Sequence, residues 1–380
     1  MIVQQSAQSL VLGVPTETAL SENRVALTPE GVHLLVSRGH RILIERGAGQ
    51  AARYTDQAYS EAGAEICENR EEVFKASTIL KVEPPSEDEL ALMPGNQTLF
   101  SVLQYNMLTE AYIQALLKKK ITAISYGDIR DEDGKAPFVR SMAEIAGSQS
   151  MALAMEYLST WSDGKGYAMG GVTGVPPAEV VVLGAGTVGT VIARMASALG
   201  ATVKVFDQSL TRMESLRRAV GQHIYTSTMQ PQVLEKAIKR CDVVIGALRP
   251  VHGRTPVVVS EDMVSQMKPR SVIIDVSIDH GGCIETSEVT TWEAPVYTKH
   301  EVIHCCVPNL ASRVARTASF ALNNLTSPLC DEIAEAGGLE SALELMPHLR
   351  SSVYAYKGRL TDPDIAARFD LGATPLELLL

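Results

Sequence analysis

The sequence predicts an α/β protein of two Rossmann-like domains, the nucleotide-binding one inserted into a discontinuous second domain, with long helices as links. Three observations carry this. Residues 179–207, EVVVLGAGTVGTVIARMASALGATVKVFD, spell strand, glycine turn, helix and strand in order. Residues 10–126 alternate short apolar runs with helical patterns, which reads as a parallel sheet. Two long helical patterns, 141–160 and 312 onward, flank the nucleotide unit. The expected division is therefore 1–140 with 309–380 as one domain and 141–308 as the other.

The nucleotide unit begins with Val180–Leu183, an apolar run suited to a strand buried on both faces. Gly184 permits the tight turn, Gly186 lets backbone approach a pyrophosphate, and Gly189 lets the helix pack closely on the sheet. Thr187 and Val188 open that helix, whose unpaired N–H groups and positive dipole end favour phosphate. The second strand ends at Asp207, eighteen positions after Gly189, where a carboxylate accepts hydrogen bonds from ribose hydroxyls. A 2′-phosphate would meet a like charge there, so NAD is favoured over NADP. Arg212 lies close enough in sequence to soften that repulsion.

In chain order, strands are expected at 10–14, 41–44, 78–82, 98–103 and 121–125. Helices are expected from Thr28-Pro29 to Gly39, from Thr55-Asp56 to Gly63, and at about 69–76 and 109–119. A glycine-rich run, GKGYAMGGVTGVPP at 164–177, reads equally as a hinge, a linker or a close-packing loop against cofactor. Beyond the nucleotide unit, helices near 209–219 and 261–267 alternate with strands at 242–245 and 272–275.

With 380 residues, 46% of them apolar, the chain can bury two cores. A net charge of -10 argues against a nucleic-acid partner. No long apolar stretch marks a membrane span, and the N-terminus lacks a signal-type leader, so a cytoplasmic location is expected. The cysteines at 67, 241, 283, 305, 306 and 330 show no ligand spacing, and neither a metal site nor a disulfide is expected.

Four stretches together resemble the alanine dehydrogenase and pyridine-nucleotide transhydrogenase family, and its alanine dehydrogenase branch in particular. They are GVPTETALSENRVALTPEGV at 13–32, ILKVEPP at 79–85, MGGVTGVPPAEVVVLGAGTVG at 169–189 and MKPRSVIIDVSIDHGGCIETS at 267–287. The resemblance implies NAD and substrate in a cleft between two domains, reversible oxidative deamination of L-alanine to pyruvate and ammonia, and a homo-oligomer, with a hexamer favoured.

Arg24 matches the arginine that grips the substrate carboxylate, a task suited to a planar guanidinium. Lys81 matches the lysine that polarises the keto oxygen; inside a domain it needs an anionic partner. Asp279 matches the catalytic aspartate that helps hold ammonia, with Asp275 as a competitor one turn of chain earlier. Val276, Ser277 and Ile278 match backbone near nicotinamide, and Ala247, Leu248 and Asn309 match cofactor-lining positions.

Three positions depart from the family. Gln104, in LFSVLQ, stands where the catalytic histidine belongs; its amide can donate a hydrogen bond but cannot titrate near neutral pH. Ala143 replaces a phosphate-contacting serine, and Asn309-Leu310-Ala311-Ser312 replaces an NMPG turn. Proton transfer then falls to Lys81, to water held by Asp279, or to His280. These departures leave open an opine or saccharopine-type dehydrogenase joining a different keto acid and amine, and an NAD(H)-binding regulatory protein without catalysis.

Overall fold

The structure, a computed structural model, describes residues 8–105, 108–250 and 253–380. The chain forms two compact units, one of residues 1–142 with 314–380, the other of residues 143–313.

The first unit's strands begin with β1 (Val11–Val14), β2 (Arg41–Glu45), β3 (Glu65–Cys67), β4 (Thr78–Leu80), β5 (Thr98–Ser101) and β6 (Thr122–Ser125). The second unit holds β7 (Glu179–Leu183), β8 (Thr202–Phe206), β9 (Tyr225–Ser227), β10 (Val243–Gly246), β11 (Val272–Asp275), β12 (Val296–Lys299) and β13 (Val302–Cys305). The chain then returns to the first sheet with β14 (Val353–Tyr356) and β15 (Arg359–Leu360). The helices that matter below are α1 (Pro29–Ser37), α2 (Glu87–Leu92), α3 (Pro137–Leu158), α4 (Thr187–Ala198), α5 (Leu210–Val220) and α6 (Ala315–Glu335).

The first sheet runs β15-β14-β6-β5-β4-β1-β2-β3, with β1 to β6 parallel and the last two strands antiparallel at one edge. The second runs β12-β13-β11-β10-β7-β8-β9, parallel except for β12. The strands are short and apolar because both faces are covered. Val180 and Val182 enter one core cluster while Val181 and Leu183 enter another, and Ile42 and Ile44 are separated from Leu43 in the same way.

Helix α3 contains the boundary between the units, and α6 packs on α1 in the first. That packing is close: a Cβ on Gly31 would lie 1.9 Å from Asn323 Oδ1. It also changes a cap. Thr28 takes the extended N-cap conformation, but its hydroxyl does not cap α1; its amide donates instead to Asn323 Oδ1 at 3.1 Å. The expected residue is at the helix start, but the bond it makes to α6 is donated by its amide, and its buried hydroxyl has no hydrogen-bond partner among the described residues.

Within the glycine-rich run, Gly164 and Gly170 pack closely against the protein's own backbone, while residues 172–176 are exposed. A Cβ on Gly170 would fall 1.9 Å from the Leu199 carbonyl, and Val172 and Val175 form a small antiparallel bridge. All six cysteines are buried and free. Among the described residues no helix is long and apolar enough to cross a membrane.

Candidate functional site

Each sheet reverses its strand order once, between β1 and β4 in the first and between β7 and β10 in the second. The loops leaving the two strands at such a reversal diverge to opposite faces and leave a crevice at the carboxyl ends, where ligands enter. Most residues singled out by sequence lie at these two places.

Lys81 directly follows β4 and is 0% exposed. Its Nζ lies 3.1 Å from Glu17 Oε2 and 3.4 Å from Glu89 Oε1, and donates to the Thr16 carbonyl at 3.5 Å. Glu17 sits in the loop after β1, across the strand reversal. Its Oε1 accepts from the Val82 amide at 2.6 Å and its Oε2 from the Glu83 amide at 3.3 Å. Burial pushes the Glu17 carboxyl up from the ordinary carboxylate range, against the pull of the Lys81 ammonium. A buried ammonium survives folding only with such partners.

Arg24, 6% exposed, belongs to the same loop. Its Nε donates to Glu22 Oε1 at 2.8 Å and its Nη2 to Glu22 Oε2, while Nη2 also lies 3.4 Å from Glu83 Oε1. Burial opposes the charge, but Glu22 more than offsets it and the guanidinium is held more firmly protonated than usual. One edge of the fork is thus committed to Glu22. Gln104 follows β5, beside β4, and is half-buried; its carbonyl accepts from the Leu108 amide at 3.3 Å.

The structure therefore brings Arg24 and Lys81 together through Glu17 and Glu83. Sequence reasoning singled out the two cations and passed over Glu17, Glu22, Glu83 and Glu89. A signal was present: an acid stands two residues before Arg24 and another two after Lys81. The demand that a buried lysine have an anionic partner points to such acids without saying which.

In the second unit the glycine turn shows three different requirements. Gly184 has φ +115°, and a Cβ there would meet the Ala247 carbonyl at 2.5 Å. Gly189 lies against the Gly184 carbonyl, which a Cβ would approach to 1.9 Å, so α4 can pack only without a side chain. A Cβ on Gly186, by contrast, would meet nothing within 4 Å, leaving open space over the turn. Thr187 and Val188 begin α4, whose first-turn N–H groups have no intrahelical acceptor.

Asp207, almost fully buried after β8, holds this turn in place. Its Oδ2 accepts from the Ala185 amide at 2.7 Å and its Oδ1 from the Ser209 amide at 2.7 Å. A carboxylate offers about four acceptor positions, so two backbone bonds leave capacity for hydroxyl donors. Arg212 stands apart from these residues: it is exposed on the first turn of α5, its amide capped by Ser209 Oγ at 3.3 Å.

Ala247 and Leu248 follow β10, and the Leu248 amide donates to Ser277 Oγ at 2.9 Å. Ser277 is buried within a 3-10 turn over Val276–His280, so its hydroxyl joins the ends of neighbouring strands. Asp275 braces that turn from inside, accepting from the Ser277 and Cys283 amides at 3.0 Å each, and burial raises its carboxyl. Asp279 is exposed, and its Oδ1 accepts from the Asn309 amide at 3.0 Å. Ile278 is buried and Val276 partly so. His280 is half-buried, which pushes its imidazole down from its ordinary value, with Arg249 adding to the effect.

Comparison with known proteins now bears on this geometry. Residues 13–146 match the profile of the alanine dehydrogenase/PNT N-terminal domain, and residues 150–363 that of the C-terminal domain. The chain is 40% identical to an alanine dehydrogenase of Methanococcus maripaludis, over 98% of this chain and 100% of that protein. Among solved structures it superposes on an L-alanine dehydrogenase with a TM-score of 0.89 at 35% identity, covering 95% of this chain and 99% of that one. A transhydrogenase from Sinorhizobium meliloti gives a TM-score of 0.79 at 25% identity, over 93% and 99%.

Proposed function

The chain belongs to the alanine dehydrogenase/PNT family, and we propose that it is an NAD-dependent amino-acid dehydrogenase that interconverts L-alanine and water with pyruvate and ammonia. The observation that carries this reading is a fully buried lysine at the strand reversal of one sheet, in a chain whose other sheet bears an open glycine cradle at its own reversal. A binding protein for NAD alone has no use for Lys81 and Arg24. The higher identity and TM-score to alanine dehydrogenase than to transhydrogenase support the same branch.

In this reading residues 1–140 with 309–380 are the substrate domain and 141–308 the NAD-binding domain. The cradle fits a dinucleotide. Open space over Gly186 admits a diphosphate that Thr187, Val188 and Gly189 amides would hold, with Gly184 making the turn. Asp207 has acceptor capacity for ribose hydroxyls, and Arg212 is the nearby cation. Ala247, Leu248, Val276, Ser277, Ile278, Asp279 and Asn309 would line the nicotinamide side. Bound NAD supplies the hydride acceptor, and NADH the hydride donor, for the substrate Cα.

The protein's own groups do the rest. Arg24, with one edge held by Glu22, presents its other edge to a carboxylate in fixed orientation. Lys81 polarises the carbonyl or imine, and Asp279 orients the amine. Gln104 donates a hydrogen bond from its amide, and the proton at the keto oxygen comes from Lys81.

The test is the initial rate of NADH oxidation by purified protein with pyruvate and saturating ammonium over a pH series. A turnover of order one per second or more is expected. NADH binding without turnover would sink alanine dehydrogenase as the function and send the search to other keto acids and amines.

A further inference from the structure

Lys81 cannot act as a repeated proton donor unless something restores its proton in a pocket closed to water. The ion pairs around it show a surplus that can. Glu17, Lys81, Glu89, Arg70 and Glu45 form a chain in which three carboxylates share two cations. Glu89 touches both cations, and Glu45 meets Arg70 through both of its oxygens, at 3.0 and 3.1 Å. Among the described residues Glu17 forms an ion pair with Lys81, at 3.1 Å, and feels the Arg24 guanidinium without pairing to it; its side chain is only 5% exposed. A surplus negative charge in a buried chain takes up a proton where it is least compensated. Of the two carboxylates at the ends of the chain, Glu17 is the more deeply buried, 5% exposed against 13% for Glu45, and it is the one that touches Lys81.

We propose that Glu17 is a positioning residue that works through Lys81: it carries the reserve proton of the substrate site and passes it to Nζ after Lys81 has protonated the substrate oxygen. The inference rests on the reading of Lys81 as the proton donor. It applies to loss of water from the carbinolamine during amination. The nitrogen lone pair forms the C=N bond as the C–O bond breaks, the bond pair stays on oxygen, and that oxygen takes a proton from Lys81 to leave as water. The neutral amine then takes the Glu17 proton, leaving a carboxylate beside an ammonium, and solvent restores the carboxyl when product leaves.

The surroundings support this placement. Glu22, in the same loop, adds like charge, and burial raises the Glu17 carboxyl. Among the described residues Glu17 also interacts with Arg24 and with the phenol of Tyr126, after β6. Glu83 lends its amide from beyond β4, and Glu89 reaches Lys81 from α2. An anionic keto acid entering this pocket would add negative charge and favour the protonated form further.

Glu17→Gln keeps the shape and removes the proton reserve. The expected result in the wild-type assay direction is a fall in kcat of roughly 100-fold, little change in KM for the keto acid, and loss of one ionisation from the pH profile. Infrared difference spectra of wild type between acid and neutral pH should show a protonated carboxyl band that disappears in Glu17→Gln. This readout needs no turnover, so failure of the dehydrogenase reading would leave the band to be judged separately. Glu17→Asp should keep both the ionisation and the band. A uniform loss of rate with unchanged pH profile, or a band that persists in Glu17→Gln, would overturn the proposal. Should Glu17→Gln fail to fold, a Glu17→Asp protein lacking both band and ionisation would overturn it equally.

Discussion

Gln104 and Lys81 stand at the carboxyl ends of neighbouring parallel strands, β5 and β4, and differ in what they can do with a proton. An amide can donate a hydrogen bond to an oxygen, but it cannot hand over the proton and recover it. Replacing Gln104→His adds a titratable group at a half-buried position beside the strand that carries Lys81. The pH profile of kcat/KM should then gain an ionisation near the ordinary imidazole value of ~6.5, absent from wild type. An unchanged profile would place residue 104 outside the proton path. Much of this residue chemistry was legible in sequence, because a lysine inside a sheet and an arginine in a family motif are unusual enough to notice. Glu17 was not singled out, because an acid after a strand is ordinary until burial and a 3.1 Å lysine make it otherwise.

At the scale of the element, the three glycines of one turn differ in what surrounds them, and their substitutions should fail differently. Gly189→Ala forces a methyl toward the Gly184 carbonyl, so α4 must shift off the sheet, at a cost of about 3 kcal/mol. Gly186→Ala adds a methyl where the chain leaves space, with φ −75° that any residue adopts. Stability should change by no more than about 0.5 kcal/mol, while NADH affinity falls at least about tenfold. Thermal denaturation and NADH titration on both variants separate the two effects. A Gly186→Ala protein that binds NADH normally would remove that turn from the cofactor site. The pattern of strand, triplet and helix was readable because it is local. The edge pieces β3, β12 and β15 lack the continuous apolar run that marks a strand buried on both faces, and pairing with neighbours determines them.

For the whole molecule, two sheets with separate cores give two places where a ligand can add stability. NADH at 100 times its Kd should stabilise the unit that binds it by about 2.7 kcal/mol, a rise of roughly 5–10 °C in its transition. Calorimetry with NADH and NADPH at equal concentration checks this. On the proposed placement of the ribose at Asp207, NADPH should give a markedly smaller shift, because its 2′-phosphate would bring like charge to that buried carboxyl. Equal shifts would mean that Arg212, or another cation, neutralises that phosphate.

The sequence by itself determined the α/β class with two Rossmann-like folds, the family and the position of the glycine turn between strand and helix. Each depends on short-range patterns: buried strands read as apolar runs, turns as glycines, and one motif as residues at fixed spacing. Only the tertiary structure decided that the Thr28 amide bonds to α6 while its hydroxyl leaves α1 uncapped, that Gly170 packs against the Leu199 carbonyl, and that Glu17 reaches Lys81. Those outcomes join residues far apart in the chain, and their energies depend on burial and on which charges share a closed space. Neither quantity exists until the strands have paired.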